Sequence, residues 1–276
     1  MDPVGIMQGR LSPPVKGALQ AFPLDTWEEE FPLARRAGLA CIEWIYEKAT
    51  AAENPIASDA GIRRIHRLSA EHGIGVQSIC ADYFMEAPLA REGDASREEN
   101  ARHLCWLVSR AELLGADHIV LPFVDASSLR TGTEIGILTD LFRLLVPALE
   151  DAGVALDLES DLPPERVAGI LSSVGHPRVR ANYDIGNSAS LGYDPEHELG
   201  LISTWLGSIH VKDRVGKGGS VVLGTGDADF PTCFRLIRAA GFRGPYILQA
   251  QRDPSASELD LAIRNRRFVE GYLAGA

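Results

Sequence analysis

The sequence predicts a single-domain α/β protein built as a closed (β/α)8 barrel. Short runs rich in Val, Ile and Leu alternate with amphipathic stretches of helical period, and we count eight such units along the chain. This alternation is typical of repeated βα units whose strands lie parallel in one sheet. With 276 residues and 45% hydrophobic content, the chain can bury a large core and has the size of one barrel. We therefore expect one domain over residues 1–276.

Each predicted strand is a short apolar run. The eight runs lie near residues 4–8, 39–43, 75–80, 117–122, 154–158, 179–184, 207–212 and 245–249. No GxGxxG turn follows the first run, so the pattern favours a closed barrel over an open doubly wound sheet. Long loops follow the first, third, sixth and seventh runs, on the side of a barrel that usually carries the chemistry.

The predicted helices lie between the strands, and several have recognisable ends. They span residues 25–37, 59–73, 96–115, 134–152, 164–174, 196–205, 229–240 and 256–273. Ser58 and Ser96 stand where an N-cap hydroxyl would accept bonds from backbone N–H groups. Five glycines follow helices where a left-handed C′ residue is favoured: Gly38, Gly73, Gly115, Gly153 and Gly241.

The charge and the cysteines narrow the class of protein. The formal net charge is -11 and the pI is near 5.1, so the chain repels nucleic-acid phosphates and anionic lipid, and neither is expected as a partner. Four scattered cysteines form no metal-binding pair and are expected to be reduced. The N-terminus lacks the features of a signal peptide, and no apolar run is long enough to span a bilayer. We expect a cytoplasmic protein.

Four polar side chains stand at the ends of four consecutive predicted strands. They are Glu159, Asp184, His210 and Gln249. The carboxyl ends of parallel barrel strands meet at one mouth, so two carboxylates, an imidazole and an amide oxygen should converge there. Hard oxygen ligands with one imidazole suit Mn²⁺, our first expectation, or Mg²⁺, Co²⁺ or Zn²⁺. The sequence therefore predicts a divalent metal site.

Taken singly, each of these residues also has a purely structural interpretation. A carboxylate after a strand often caps the next helix, and a single histidine such as His210 is often a hydrogen-bonded core residue. The interior of a barrel is normally filled by branched apolar side chains, so polar groups at four neighbouring strand ends need a compensating partner. A bound cation supplies one.

Five segments of the chain carry a resemblance to a known family. They are Gly5-Ile-Met-Gln-Gly-Arg-Leu-Ser-Pro, Ile42-Glu-Trp, Tyr183-Asp-Ile-Gly-Asn, Ile209-His-Val-Lys-Asp-Arg and Leu223-Gly-Thr-Gly-Asp-Ala-Asp-Phe. Over essentially its whole length the chain resembles the sugar phosphate isomerase/epimerase family of xylose-isomerase-like TIM barrels. That superfamily includes ketose epimerases, aldose-ketose isomerases, inosose dehydratases and endonuclease IV.

The resemblance implies roles for the residues at the strand ends. In the ketose epimerases and their relatives, a Glu, an Asp, a His and a second Glu on strands five to eight bind the metal, and both glutamates carry protons. By position these are Glu159, Asp184, His210 and residue 249. The chain departs from the family at Gln249, because an amide can ligate a metal but cannot carry a proton.

The residues and the resemblance together predict a divalent-metal-dependent isomerase or epimerase. It would act on a small sugar or sugar phosphate through a metal-stabilised enediolate, with Glu159 as the base. Lys212 points to the same side as His210 and could supply a proton or polarise an oxygen. A salt bridge from Lys212 to Glu159 or Asp184 is the alternative interpretation.

Four further residues are candidates for substrate binding. Glu43 could bind a sugar hydroxyl, and Arg10 could bind a phosphate or carboxylate, although a structural salt bridge between the two would also explain them. Asn187 stands where related enzymes place a polar group beside the substrate, or it simply supports a turn. Arg214 is expected in a loop at the rim.

Three other functions stay open at this point. A lyase of the inosose dehydratase kind would use the same enediolate to expel a β-hydroxyl group. A hydrolase similar to endonuclease IV would need several zinc ions, but only one histidine falls at a strand end and the charge is strongly negative. A relative without catalysis would be consistent with the missing glutamate. Barrels of this kind often pair through their mouth loops, so a homodimer is also an expectation.

Overall fold

The predicted barrel is present in the computed structural model, which describes residues 2–91, 93–216 and 218–274. Within these ranges, eight parallel strands close on themselves in the order β1-β10-β7-β6-β5-β4-β3-β2. The barrel strands are β1 Val4–Met7, β2 Cys41–Ile45, β3 Gly75–Cys80, β4 His118–Phe123, β5 Ala155–Ser160, β6 Val179–Asp184, β7 Leu206–Val211 and β10 Tyr246–Leu248. A short antiparallel hairpin, β8 Asp213–Arg214 and β9 Ser220–Val221, follows β7.

The helices surround the barrel and connect its strands in chain order. They are α1 Glu30–Ala37, α2 Asp59–His72, α3 Tyr83–Glu86, α4 Arg97–Leu114, α5 Gly132–Ala152, α6 Pro164–Val174, α7 Ile185–Leu191, α8 Pro195–Ile202, α9 Phe230–Ala239 and α10 Glu258–Ala274. Within the described ranges, no helix combines the length and apolar character needed to cross a bilayer.

The helix ends agree with the sequence in most places, and the exceptions have local causes. Ser58 caps α2 by accepting a bond from the Gly61 amide, as predicted. Ser96 does not cap α4, because its hydroxyl donates to Asp94 Oδ1 instead. The predicted helix over 25–37 begins later, at Glu30, after a 3-10 turn over Trp27–Glu29. Helices α3 and α7 escaped prediction because one or two turns carry little periodic signal.

Two irregularities in strand pairing fall beside the mouth of the barrel. The register between β2 and β3 shifts between Ile42 and Glu43, and the register between β6 and β7 shifts between Ala181 and Asn182. Bulges of this kind re-aim the side chains that follow them. Beyond the second shift, Asp184 and His210 are direct neighbours across the strands, so the pairing places two of the predicted ligands side by side.

Gly207 in β7 is required by a buried ion pair one layer below the mouth. Arg180 Nε donates to Asp157 Oδ1 over 2.8 Å, and a Cβ at position 207 would lie 2.4 Å from that same oxygen. Asp157 is fully buried, and its other oxygen lies 3.6 Å from His118 Nε2. A side chain at this position would therefore break the ion pair or displace β7.

We expect Gly207→Ala to lower the free energy of unfolding by about 1–3 kcal/mol, because overpacking a full core forces its neighbours apart. Gly200→Ala is the matched control, since Gly200 lies exposed in α8 with no atom within 4 Å of an added Cβ. That control should be neutral or slightly stabilising. Urea denaturation of both variants measures the difference, and equal stabilities would contradict the steric explanation.

Candidate metal centre and active site

A cavity opens at the mouth of the barrel, where the carboxyl ends of the strands meet. Its volume is about 540 Å³, and its lining includes Glu159, Asn187, Lys212, Arg214 and Gln249. These residues come from the ends of β5, β7 and β10, from α7 and from the hairpin. Most of the predicted site residues therefore share one pocket on the side of the barrel where sequence reasoning placed them.

Three of the four predicted metal ligands form one cluster. Glu159, Asp184 and His210 each offer a ligand atom, and these atoms lie within 4.8 Å of one another. All three side chains are buried. Glu159 is the next-to-last residue of β5, Asp184 ends β6 and His210 lies in β7, so three neighbouring strands deliver one ligand each.

His210 is oriented by a carboxylate behind it. Its Nε2 atom donates to Glu43 Oε1 over 2.7 Å, and Glu43 Oε2 accepts a bond of 2.6 Å from the Ser78 hydroxyl. The other ring nitrogen, Nδ1, faces the cluster, 3.5 Å from Glu159 Oε2 and 3.1 Å from the Asn182 amide. A carboxylate that fixes one ring nitrogen leaves the other available to a metal, an arrangement common in metal sites.

The charge on His210 follows from its two carboxylate neighbours. Burial lowers the pKa of the imidazole, but the Glu43 charge and the bonds to Glu159 and Glu43 outweigh burial and raise the pKa to about 10. A proton on His210 thus offsets two buried negative charges. A divalent ion at Nδ1 would replace that proton.

Glu159 is held as a carboxylate by its surroundings. Asn187 donates to Oε1 over 2.8 Å and Asn182 to Oε2 over 3.2 Å. Burial raises the pKa of Glu159, but the hydrogen bond and the charge of His210, together with Lys212, outweigh it and lower the pKa to about 2. The group is therefore ionised at neutral pH, as a metal ligand or a proton acceptor must be.

Asp184 serves two partners with its two oxygens. Oδ1 caps α7 by accepting a bond of 2.9 Å from the backbone N–H of Asn187. The helix-capping role considered from the sequence is therefore present. Oδ2 is buried, and among the described residues the cation beside it is Lys212, whose Nζ lies 2.7 Å away. One carboxylate oxygen thus remains directed at positive charge.

Lys212 also holds Gln249. Its Nζ donates to Gln249 Oε1 over 2.9 Å, so the ammonium lies between the Asp184 carboxylate and the amide of the eighth barrel strand. The start of α7 packs closely against the backbone of Lys212 at Gly186. A Cβ added to Gly186 would lie 2.8 Å from the Lys212 carbonyl. The predicted salt bridge to Asp184 is therefore present, and the amide oxygen expected to ligate a metal faces Lys212.

The donor set fits a hard divalent cation. Two carboxylates and one imidazole converge, and the buried Oδ2 atom of Asp184 already requires a cation beside it. Gln249 would complete the predicted set only by exchanging Lys212 for the ion.

The four predicted substrate-binding residues divide into two pairs. Asn187 and Arg214 line the cavity, and Arg214 Nη1 donates to Asn187 Oδ1 over 2.8 Å. Glu43 is fully buried behind His210. Arg10 is also buried, and its guanidinium donates to the Leu19 carbonyl in the loop after β1. Within the described part of the chain, Glu43 and Arg10 contact neighbouring protein groups and do not line the cavity.

Several residues that support the site were not predicted from the sequence. Ser78 supports Glu43, and Ser208 donates to Asn182 Oδ1 over 2.9 Å, which orients the Asn182 amide toward Glu159. Asp213, at the start of the hairpin after β7, is buried and accepts backbone bonds from Gly224 and Gly226. These contacts join segments distant in the chain, so no local pattern marks them.

The family of the protein follows from comparison with known sequences. The sequence model of the family described as xylose isomerase-like TIM barrel matches residues 31–270. The chain therefore belongs to the xylose isomerase-like TIM barrel family, as its motifs predicted.

Similar individual proteins include epimerases. The L-ribulose-5-phosphate 3-epimerase UlaE of Salmonella paratyphi A is 25% identical over 269 residues, covering 91% of this chain and 92% of UlaE. The crystal structure of D-psicose 3-epimerase in the presence of D-fructose has a TM-score of 0.78 at 15% identity and covers 99% of this chain and 100% of that one. The crystal structure of the IOLI protein with a zinc atom has a TM-score of 0.74 at 15% identity, covering 97% and 96%. The two structural likenesses show a shared fold.

We expect Glu43→Gln to weaken Mn²⁺ binding by about 10- to 100-fold, because an amide supports the basicity of the His210 ring less than a carboxylate does. Isothermal titration calorimetry measures the affinity. Glu112→Gln, at an exposed position of α4, is the control and should bind as the wild type does. Unchanged affinity in Glu43→Gln would show that Glu43 does not tune the ligand.

Proposed function

We propose that the protein is a divalent-metal-dependent sugar epimerase or isomerase in which Glu159 is the base. The observation that carries the proposal is the cluster of Glu159, Asp184 and His210, whose ligand atoms lie within 4.8 Å of one another and whose Glu159 lines a cavity of about 540 Å³. The names of UlaE and of D-psicose 3-epimerase support a sugar as substrate. The zinc atom in the IOLI structure supports a metal in this fold.

The metal would be held by Glu159, Asp184 and His210, with Gln249 as a fourth ligand. Mn²⁺ is our first proposal, and Mg²⁺, Co²⁺ or Zn²⁺ would suit the same donors. When bound, the ion would neutralise the negative charge that develops on the substrate carbonyl oxygen as the neighbouring C–H bond breaks.

Glu159 would remove the proton from the carbon beside the carbonyl. The Asn182 and Asn187 amides hold its two oxygens from different sides, so the carboxylate is fixed before the substrate arrives. The breaking C–H bond leaves its electron pair in the enediolate of the substrate. The proton then resides on Glu159 until it is returned or exchanged with water.

The remaining predicted residues have proposed roles that follow from their contacts. Asn187 and Arg214 would bind substrate hydroxyl or phosphate groups from the cavity wall, and Lys212 would polarise a substrate oxygen. Glu43 would orient His210, and Arg10 would hold the loop after β1 in place. Glu43 and Arg10 are thus proposed to support neighbouring parts of the site, in place of the direct substrate contacts expected from the sequence.

A dehydratase is the second candidate, and Gln249 is the observation that favours it. A lyase needs one base and one acid near the leaving hydroxyl, and Lys212 beside Gln249 could provide the acid. The products separate the two candidates, because dehydration forms an ultraviolet-absorbing enone or diketone. Epimerisation leaves the carbonyl chromophore unchanged.

Metal removal should destabilise the protein by an amount that grows with the logarithm of the ratio of metal concentration to Kd. Restoring Mn²⁺ at a hundred times its Kd should raise the free energy of unfolding by about 2.7 kcal/mol. Asp184→Asn should lose this gain, because it removes a charged ligand. Differential scanning calorimetry with and without Mn²⁺ measures the effect. A protein purified without chelator that contains no metal and does not respond to any of the four ions would support the relative without catalysis.

Replacement of the base should abolish turnover. We expect Glu159→Gln to lower kcat by about 100-fold or more on a ketose that the wild type converts, because an amide cannot accept the proton. The ketoses to be tested include D-psicose, D-fructose and L-ribulose 5-phosphate. Chromatography of the products measures the conversion. Glu165→Gln serves as the control, because Glu165 is an exposed carboxylate of α6 that pairs with His197 of α8. Full activity of Glu159→Gln would refute the assigned base.

A further inference from the structure

Inversion at a carbon atom needs a second proton carrier, and Gln249 cannot be that carrier. The point rests on the proposed function, in which Glu159 removes a proton from one face of the substrate carbon. A proton must then reach the opposite face. The amide of Gln249 has no titratable proton to give. Another group in the same cavity must carry it if the protein is an epimerase.

Several titratable side chains line the described part of the cavity, and most have other roles or lie too far out. Lys212 is held between Asp184 and Gln249. Glu47 accepts bonds from the Phe22 amide and the Thr50 hydroxyl, which fixes neighbouring loops. Glu86 and Asp125 are exposed at the rim. Burial raises the pKa of the Cys80 thiol well above its usual value, so Cys80 stays protonated.

Asp82 remains, and it is fixed by contacts on both of its oxygens. It follows β3 directly before α3 and lines the same cavity as Glu159 and Gln249. Gln20 Nε2 donates to Oδ2 over 2.7 Å, and the Cys80 thiol donates to Oδ1 over 3.3 Å.

Asp82 is also connected to the position of the missing glutamate. Gln249 Nε2 donates to Gln20 Oε1 over 2.8 Å, while the other end of the Gln20 amide donates to Asp82. Two hydrogen bonds therefore lead from the eighth barrel strand to a carboxyl group. Asp82 thus lies at the other end of a fixed amide from the strand end that Gln249 occupies.

The electrostatic environment of Asp82 suits a proton carrier. Burial raises its pKa to about 6, against the bonds from Gln20 and Cys80, and the charges of Glu159 and Glu47 add to the rise. A carboxyl group whose pKa lies near neutrality can both hold and release a proton at neutral pH.

We propose that Asp82 is the second proton carrier of this enzyme and acts on the face of the substrate carbon that Glu159 does not reach. Glu159 breaks the C–H bond and its electron pair forms the C=C bond of the enediolate. The Asp82 carboxylic acid then gives its proton to the opposite face, the C=C pair forms the new C–H bond, and the carbonyl re-forms. Glu159 ends protonated and Asp82 ionised, and water restores both without any redox change.

Isotope exchange in D₂O tests the proposal with D-psicose, D-fructose and L-ribulose 5-phosphate as probes in the presence of Mn²⁺. The wild type should invert its ketose and exchange the α-proton of both epimers. In Asp82→Asn, inversion should fall by about 100-fold or more, because the acid is missing. Exchange should persist from the epimer deprotonated by Glu159 and be lost from the other.

Further variants separate catalysis from structure. Asp82→Ser keeps an acceptor for Gln20 but no titratable proton, so it should share the defect, and Asp82→Glu should recover part of the inversion. All three should bind Mn²⁺ as tightly as the wild type, measured by calorimetry. Asp140→Asn, an exposed carboxylate of α5, is the control and should invert normally.

The possible results separate this inference from the proposed function. Normal inversion by Asp82→Asn and Asp82→Ser would overturn the role of Asp82 and leave the proposed function intact. Equal loss of exchange from both epimers, or loss of Mn²⁺ binding, would overturn it in favour of a structural role. A wild type that exchanges none of the ketoses would reject the proposed function, and the assignment of Asp82 with it.

Discussion

The mouth of the barrel depends on matching three buried carboxylates, Glu43, Glu159 and Asp184, with positive charge. Removing an ionised carboxylate from water is costly unless a partner compensates, and Glu43, Glu159 and Asp184 are all buried. His210 lies between the two glutamates, and Lys212 lies against Asp184. The same balance makes the site suitable for a divalent cation, which can replace the charge of a proton or an ammonium group.

The backbone supports this balance with features that have no charge themselves. The register shift before Asn182 allows Asp184 and His210 to lie side by side, and the close approach of Gly186 fixes the backbone of Lys212. A second layer of Ser78 and other hydroxyl and amide groups then orients the ligands. Contacts of this kind orient the ligands and tune the affinity for a metal.

Gln249 stands at the end of the eighth barrel strand, where the family resemblance implies a glutamate. In the proposed mechanism another group must therefore carry the second proton. Gln249 no longer offers a carboxylate, but its two amide ends connect Lys212 on one side and Gln20 on the other. Asp82 is another carboxyl group that lines the cavity, and it is held by Gln20 in the loop that follows β1. The mouth loops of a barrel bring several strand ends within reach of one substrate, so the proposed second proton carrier lies beside a different strand from Gln249.

Much of the fold and part of the site were determined by the sequence alone. The alternation of apolar runs with helical stretches predicted eight parallel strands, and the polar residue at each strand end predicted Glu159, Asp184 and His210 as one cluster. These predictions succeeded because periodicity and strand direction are local properties that a closed barrel converts into proximity. The tertiary structure decided the partners: Glu43 behind His210 and Lys212 against Gln249. Such pairings join residues far apart in the chain through side-chain packing, which no spacing in the sequence specifies.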